Sequence, residues 1–153
     1  MRVLDLKIPP VAVVVVTAVL MWVSARAAPT AGLVIPARHL IALSIGVAGA
    51  VTSILGVVSF RRAGTTVNPM TPGAASSLVC SGVYRLSRNP MYLGFLLVLL
   101  GWCIYLSNSL ALLFVPLFLI YMNHFQIEPE ERALTARFGD GFTAYTRRVR
   151  RWL

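Results

Sequence analysis

Long uncharged runs alternate with short charged ones along this chain. Residues 8–25 carry no charged side chain and are long enough to cross a bilayer, with Pro9 and Pro10 tolerable in a first helical turn. Residues 40–60 form a second such run, and its glycines Gly46, Gly49 and Gly56 allow another helix to approach closely. No side chain between Arg88 and Glu128 is charged, a distance too long for one crossing and right for two. Ser107-Asn108-Ser109 is the polar break inside it, so the run predicts a tight helical hairpin whose second arm is kinked by Pro116. The expectation is an all-α integral membrane protein forming a single membrane domain over 1–153. Its four transmembrane helices fall at about residues 8–25, 40–60, 90–106 and 110–127.

What lies outside the spans is polar in two different ways. Residues 61–89 are rich in Gly, Thr, Pro and Ser and read as an ordered loop. Residues 128–153 hold four of the five acids: Glu128, Glu130, Glu131 and Asp140. Beyond them Leu134, Phe138, Phe142, Tyr145, Val149 and Trp152 recur at three- and four-residue spacing opposite Arg147, Arg148, Arg150 and Arg151. That is the pattern of an amphipathic helix lying in the headgroup layer, divided into two pieces near Gly139 and Gly141.

Composition agrees, since 58% hydrophobic and 12% charged residues do not describe a soluble globule. A formal charge of +9 raises the question of nucleic acid, but the basic residues sit beside apolar spans without interleaved aromatics. They orient the chain instead: Arg2 and Lys7, then Arg61, Arg62, Arg85 and Arg88, then the six arginines of the tail fall on one side, against only Arg26 and Arg38 on the other. Loop 61–89 and tail 128–153 are then cytosolic, as are both termini. Thirteen of the 14 basic residues are Arg, which fits a GC-rich bacterial genome, and with the four spans the expectation is a multi-pass protein of the bacterial inner membrane. Arg2, Lys7 and Ala25-Arg26-Ala27 around the first run also fit a cleavable signal peptide, against which its length argues. Cys80 and Cys103 suggest neither a disulfide framework nor a metal site, and no metal is expected.

The densest chemistry lies in Gly82-Val83-Tyr84-Arg85-Leu86-Ser87-Arg88-Asn89-Pro90-Met91-Tyr92-Leu93-Gly94. Asn89 is a good helix N-cap and Pro90 suits the first helical position, so a helix starts there. Its free N–H groups, with Arg85 and Arg88 close by, make a site for a carboxylate or phosphate. The same residues also fit a capped membrane helix with snorkelling arginines and an interfacial tyrosine. His124 and Gln126 end the second hairpin arm at the same depth, where a histidine is more often structural than catalytic.

Leu78-Val79-x-x-Gly82-Val83-Tyr84, leading into Arg88-Asn89-Pro90-x-Tyr92-x-Gly94, then a hairpin, Glu130-Glu131 and Phe138-Gly139-x-x-Phe142-x-x-Tyr145, resembles the isoprenylcysteine carboxyl methyltransferase family and its phospholipid methyltransferase relatives. The resemblance covers roughly residues 64 to 153 and implies a methyltransferase core there. It implies an S-adenosylmethionine-dependent enzyme that holds its cofactor on the cytosolic side and methylates a lipophilic acceptor arriving from the bilayer. Carried over, Ser76, Ser77, Leu78, Val79, Tyr84, Arg88, Asn89, Pro90, Met91, Tyr92 and Glu130 are cofactor-side residues. A His is common in the family where Asn89 stands, and an Arg serving the acceptor aligns near Gln126, which becomes the substrate-side residue here. Methyl transfer from a sulfonium needs positioning and a dry site more than a catalytic triad. Only a thiol or amine acceptor must lose a proton, and for those His124 and Glu131 are the nearby candidates for a base. The competing expectation is a non-enzymatic membrane protein holding anionic lipid through its arginines.

Overall fold

The computed structural model describes residues 5–65 and 70–153; the expectations concerning Arg2 and the loop residues Thr66 to Pro69 lie outside them. The described residues form an all-helical membrane protein. Helix α1 spans Pro10–Ala27, α2 Arg38–Arg62 and α3 Pro90–Leu106. Next come a short α4 (Ser109–Leu112), α5 (Phe114–Tyr121), a wide π-helical turn (Met122–Ile127) and α6 (Glu128–Phe138). Helix α7 (Asp140–Arg148) closes the order. Helices α1, α2 and the continuous rod Ser109–Phe138 are long and apolar enough to cross a membrane. Helix α3, with 17 residues, rises about 25 Å and is the shorter partner.

Helices α2 and α3 pack backbone to backbone. A Cβ on Gly49 would lie 2.6 Å from the carbonyl of Gly94, and one on Gly94 would collide with Ser53 Oγ and the Gly49 carbonyl. Ser53 Oγ donates to the Met91 carbonyl at 2.9 Å, which fixes the register of the crossing near the start of α3. Helix α1 is tied on by Trp102, whose indole N–H donates to the Ala18 carbonyl at 3.0 Å. Met21, Leu99, Phe118 and Met122 fill the space where α1, α3 and α5 meet. Val11, Val15 and Val19 on α1, and Leu43, Val47 and Ile54 on α2, stay exposed; in a membrane these faces meet lipid.

The hairpin turn is where the polar break placed it. Ser107 takes a left-handed conformation at φ 50°, and Asn108 Oδ1 accepts the Leu110 N–H at 3.0 Å to cap α4. The second arm is interrupted at Leu113, in the turn where Pro116 offers no N–H to the Leu112 carbonyl, as its position predicted. It differs from expectation in its end: it does not stop at residue 127 but runs on to Phe138. The π-turn accommodates Pro129, which has no N–H for the carbonyl of Phe125 four residues earlier. The Leu6 N–H takes that carbonyl at 3.0 Å, and Asp5 pairs with Arg132 at 2.9 Å, so the segment before α1 is clamped onto the turn.

Gly139, at φ 51°, separates α6 from α7 where the glycines predicted a division. The amphipathic tail is shorter than its periodicity indicated. Helix α7 ends at Arg148, Val149 is extended (φ −124°, ψ 131°), and the last residues double back across the mouth of the loop. Arg88 N–H donates to the Arg150 carbonyl at 2.9 Å, and Trp152 Nε1 donates to Asn123 Oδ1 at 3.1 Å.

Candidate functional site

At the loop-and-tail end of the spans, loop, α3 and tail enclose one cavity. Residues 75–79 form its first wall. Arg137 Nε donates to the Ala75 carbonyl at 2.9 Å, and the Ser76 N–H donates to Thr65 Oγ1 at 2.9 Å, so the loop is held from both sides. Tyr84 follows in a single 3₁₀ turn, Gly82–Arg85, entered through Gly82 at φ 61°. Its ring lies edge-on to Phe60 of α2 with centroids 5.2 Å apart, and its carbonyl accepts the Tyr145 hydroxyl of α7 at 2.7 Å.

Helix α3 starts at Pro90 as predicted, but Asn89 does not cap it with its side chain. Its amide donates instead to the Arg151 carbonyl at 3.0 Å, which Ser87 Oγ also approaches at 3.3 Å. One turn on, Tyr92 OH donates to Glu130 Oε2 at 3.0 Å, and Gln126 Nε2 reaches the same hydroxyl at 3.5 Å. Burial is the main reason the Glu130 carboxyl is pushed up from 4.5 to about 7; the bond from Tyr92 pulls it down, and the neighbouring Glu131 adds to the rise. Burial likewise raises the phenols of Tyr84 and Tyr145, so both are neutral near pH 7. Glu131 is differently placed: Arg88 Nη2 contacts its Oε1 at 3.1 Å, while Arg151 grips both oxygens, Nε to Oε1 at 3.2 Å and Nη2 to Oε2 at 2.6 Å.

Between these walls lies an unfilled space of about 580 Å³ that is continuous with open solvent at its mouth. Of the cofactor-side residues carried over from the resemblance, Ser77, Leu78, Val79, Tyr84, Arg88, Asn89, Met91, Tyr92 and Glu130 line it, and Glu131 does too. Ser76 faces outward with its hydroxyl on the Gly64 carbonyl at 3.2 Å, and Pro90 is buried under Gly56 at the α2–α3 contact. Gln126 is buried beside Tyr92 and is not among the lining residues. His124 is exposed, pairs with Glu128 at 3.3 Å and is not among the lining residues. Phe60, Ala75, Leu134, Phe142 and Tyr145 line the cavity without having been singled out as site residues. For Phe142 and Tyr145 the three-residue spacing in the tail was the available signal. For Phe60 there was none, because the contact depends on how α2 meets the loop.

A bundle of membrane helices with a partly polar cavity at the end of its spans, lined by Arg88 and the two acids Glu130 and Glu131, is the class of protein that fold and site define. The sequence pattern of the phospholipid methyltransferase family matches residues 37–141, and the chain belongs to that family. The match takes in α2, which the motif resemblance left out and which supplies Phe60. An uncharacterized protein of Haemophilus influenzae is 51% identical over 63 residues, 41% of this chain and the whole of that protein. The protein-S-isoprenylcysteine O-methyltransferase of Schizosaccharomyces pombe is 35% identical over 72 residues, 47% of this chain and 30% of that enzyme. No solved structure matches the chain.

Proposed function

We propose that the protein is an S-adenosylmethionine-dependent methyltransferase whose cofactor occupies this cavity and whose acceptor is a lipophilic molecule delivered by the membrane. One observation carries the reading: the same cavity presents a half-buried acid, Glu130, and a half-buried guanidinium, Arg88, whose buried Nε–H has no hydrogen-bond partner among the described residues. An amino-acid group has the complementary pair, an ammonium for Glu130 and a carboxylate for Arg88, and S-adenosylmethionine ends in such a group. The residues present therefore fit it. Tyr84, Phe60 and Tyr92 offer aromatic surface for a nucleoside ring or a sulfonium.

When bound, S-adenosylmethionine supplies a methyl group already activated as a sulfonium. The chain's own part is to bind, orient and exclude water. The apolar lining from Val79, Met91, Leu134 and Phe142 keeps the cavity dry, and the strap of Arg150 and Arg151 holds the start of α3 against the tail. Glu131 is occupied by two arginines and His124 points away, so neither is assigned a proton here. The acceptor is accordingly one that reacts without losing a proton to these two residues. The basic-residue count supports a cavity on the cytosolic side of a bacterial inner membrane with both termini inside.

The lipid-binding alternative loses two of its arginines, since Arg88 and Arg151 are turned inward on Glu131. Incubation of the purified protein with methyl-labelled cofactor and a total bacterial lipid extract tests the proposal. A labelled product of increased mass in the organic phase is expected; its absence in a sample that binds the cofactor removes the lipophilic acceptor.

A further inference from the structure

The two arginines on Glu131 do unlike things. Arg151, from the extended strap after α7, presents its guanidinium edge to both carboxylate oxygens, at 3.2 and 2.6 Å. That is the two-point geometry in which a guanidinium and a carboxylate satisfy each other. Arg88, from the loop before α3, reaches Glu131 with one nitrogen only, Nη2 at 3.1 Å, while its buried Nε–H has no partner among the described residues. Arg88 lines the cavity, whereas Arg151 does not. The strap that carries Arg151 is anchored through main-chain carbonyls: Arg150 accepts from the Arg88 N–H at 2.9 Å, and Arg151 accepts from the Asn89 amide at 3.0 Å.

We infer that Arg151 is a positioning residue for ligand recognition: by occupying both oxygens of Glu131 it prevents Arg88 from closing its own fork on that carboxylate, and so leaves the Arg88 Nε–H for the carboxylate of a cavity ligand. The inference rests on the cofactor reading above. Without Arg151, Glu131 has a free oxygen beside Arg88, and the guanidinium turns to take it at two points. Arg88 is then withdrawn from the ligand although the cavity keeps its shape. The effect is confined to ligands with an amino-acid end. The nucleoside part, which would lie against aromatic and apolar walls, is insensitive to it.

The test is binding of two probes to the detergent-purified full chain by calorimetry: S-adenosylhomocysteine, which has the amino-acid end, and 5′-methylthioadenosine, which has the nucleoside and a thioether but no carboxylate. Arg151→Gln should weaken S-adenosylhomocysteine at least tenfold and leave methylthioadenosine within twofold. Arg151→Lys keeps the charge and the main-chain anchors of the strap but cannot fork, and it should behave like Arg151→Gln. In an Arg88→Gln background the Arg151→Gln change should cost less than a further twofold, because the group it positions is gone. Wild-type affinity for S-adenosylhomocysteine in Arg151→Gln, equal losses for both probes, or full additivity with Arg88→Gln each overturns the inference while the cofactor site stands. A wild-type protein that binds neither probe overturns the cofactor reading and this inference with it.

Discussion

Tyr92 and Glu130, 38 residues apart, share a hydrogen bond of 3.0 Å that joins the first turn of α3 to the first turn of α6. It closes the cavity between a membrane span and the tail, and it is the donor that holds part of the Glu130 charge in a buried place. The behaviour of that acid is the most direct handle on what the cavity does.

Glu130→Gln keeps the shape of the side chain and can still meet Tyr92, but it cannot pair with an ammonium. S-adenosylhomocysteine should bind it about 1 to 3 kcal/mol more weakly, the scale of a charge-assisted hydrogen bond. Calorimetry on wild type and variant measures the difference. Equal affinities would remove Glu130 from the ligand contacts.

The raised acidity constant sets a pH dependence with a definite sign. In the free protein Glu130 holds its proton up to about pH 7, whereas in the unfolded chain it releases it near 4.5. Its contribution to stability is therefore complete below about 4.5 and is lost as pH rises through 7, by roughly 3 kcal/mol at most. Glu130→Gln should flatten that part of the curve and melt higher than wild type at pH 8. A cationic ligand favours the ionised form, so affinity for S-adenosylhomocysteine should rise with pH to about 7 and level off above it. Thermal melts and titrations at pH 5.5, 7 and 8.5 check both slopes.

The α2–α3 crossing should be intolerant of a single methyl group. Gly94→Ala places a Cβ into Ser53 Oγ and the Gly49 carbonyl and should destabilise by about 1 to 3 kcal/mol, the usual cost of overpacking. Gly46→Ala, where a Cβ meets nothing within 4 Å, should be neutral or stabilising. Thermal unfolding in one detergent compares them.

His124→Ala should leave S-adenosylhomocysteine affinity and methyl transfer within about twofold of wild type, since the ring is exposed and paired with Glu128 at 3.3 Å. A loss of transfer at unchanged affinity would return His124 to the chemistry.

Much of the frame was legible because each cue is local. Uncharged runs of spanning length located the helices, Pro90 marked the start of α3, and Gly139 marked the break in the tail. The misreadings share one cause, a partner far away in sequence. Asn89 is a fine cap by local rules, yet its amide is taken by the Arg151 carbonyl, 62 residues on. Arg151 sits in a periodic basic pattern that describes a headgroup-facing helix, yet the helix ends at Arg148 and the guanidinium turns inward to Glu131. The continuation of the last span beyond residue 127 was hidden because the uncharged run ends at Glu128; a π-turn and the Leu6 N–H absorb Pro129 there. Most of the cavity-lining residues came from motif resemblance, and the geometry adds the wall from Phe60, which no motif named.

The central claim is that the cavity holds the methyl-donor cofactor, and its most direct measurement is isothermal titration of the detergent-purified, folded protein with S-adenosylhomocysteine. One-to-one binding that weakens in both Glu130→Gln and Arg88→Gln is the predicted result. No heat of binding up to millimolar ligand in a sample with a cooperative melt would contradict it.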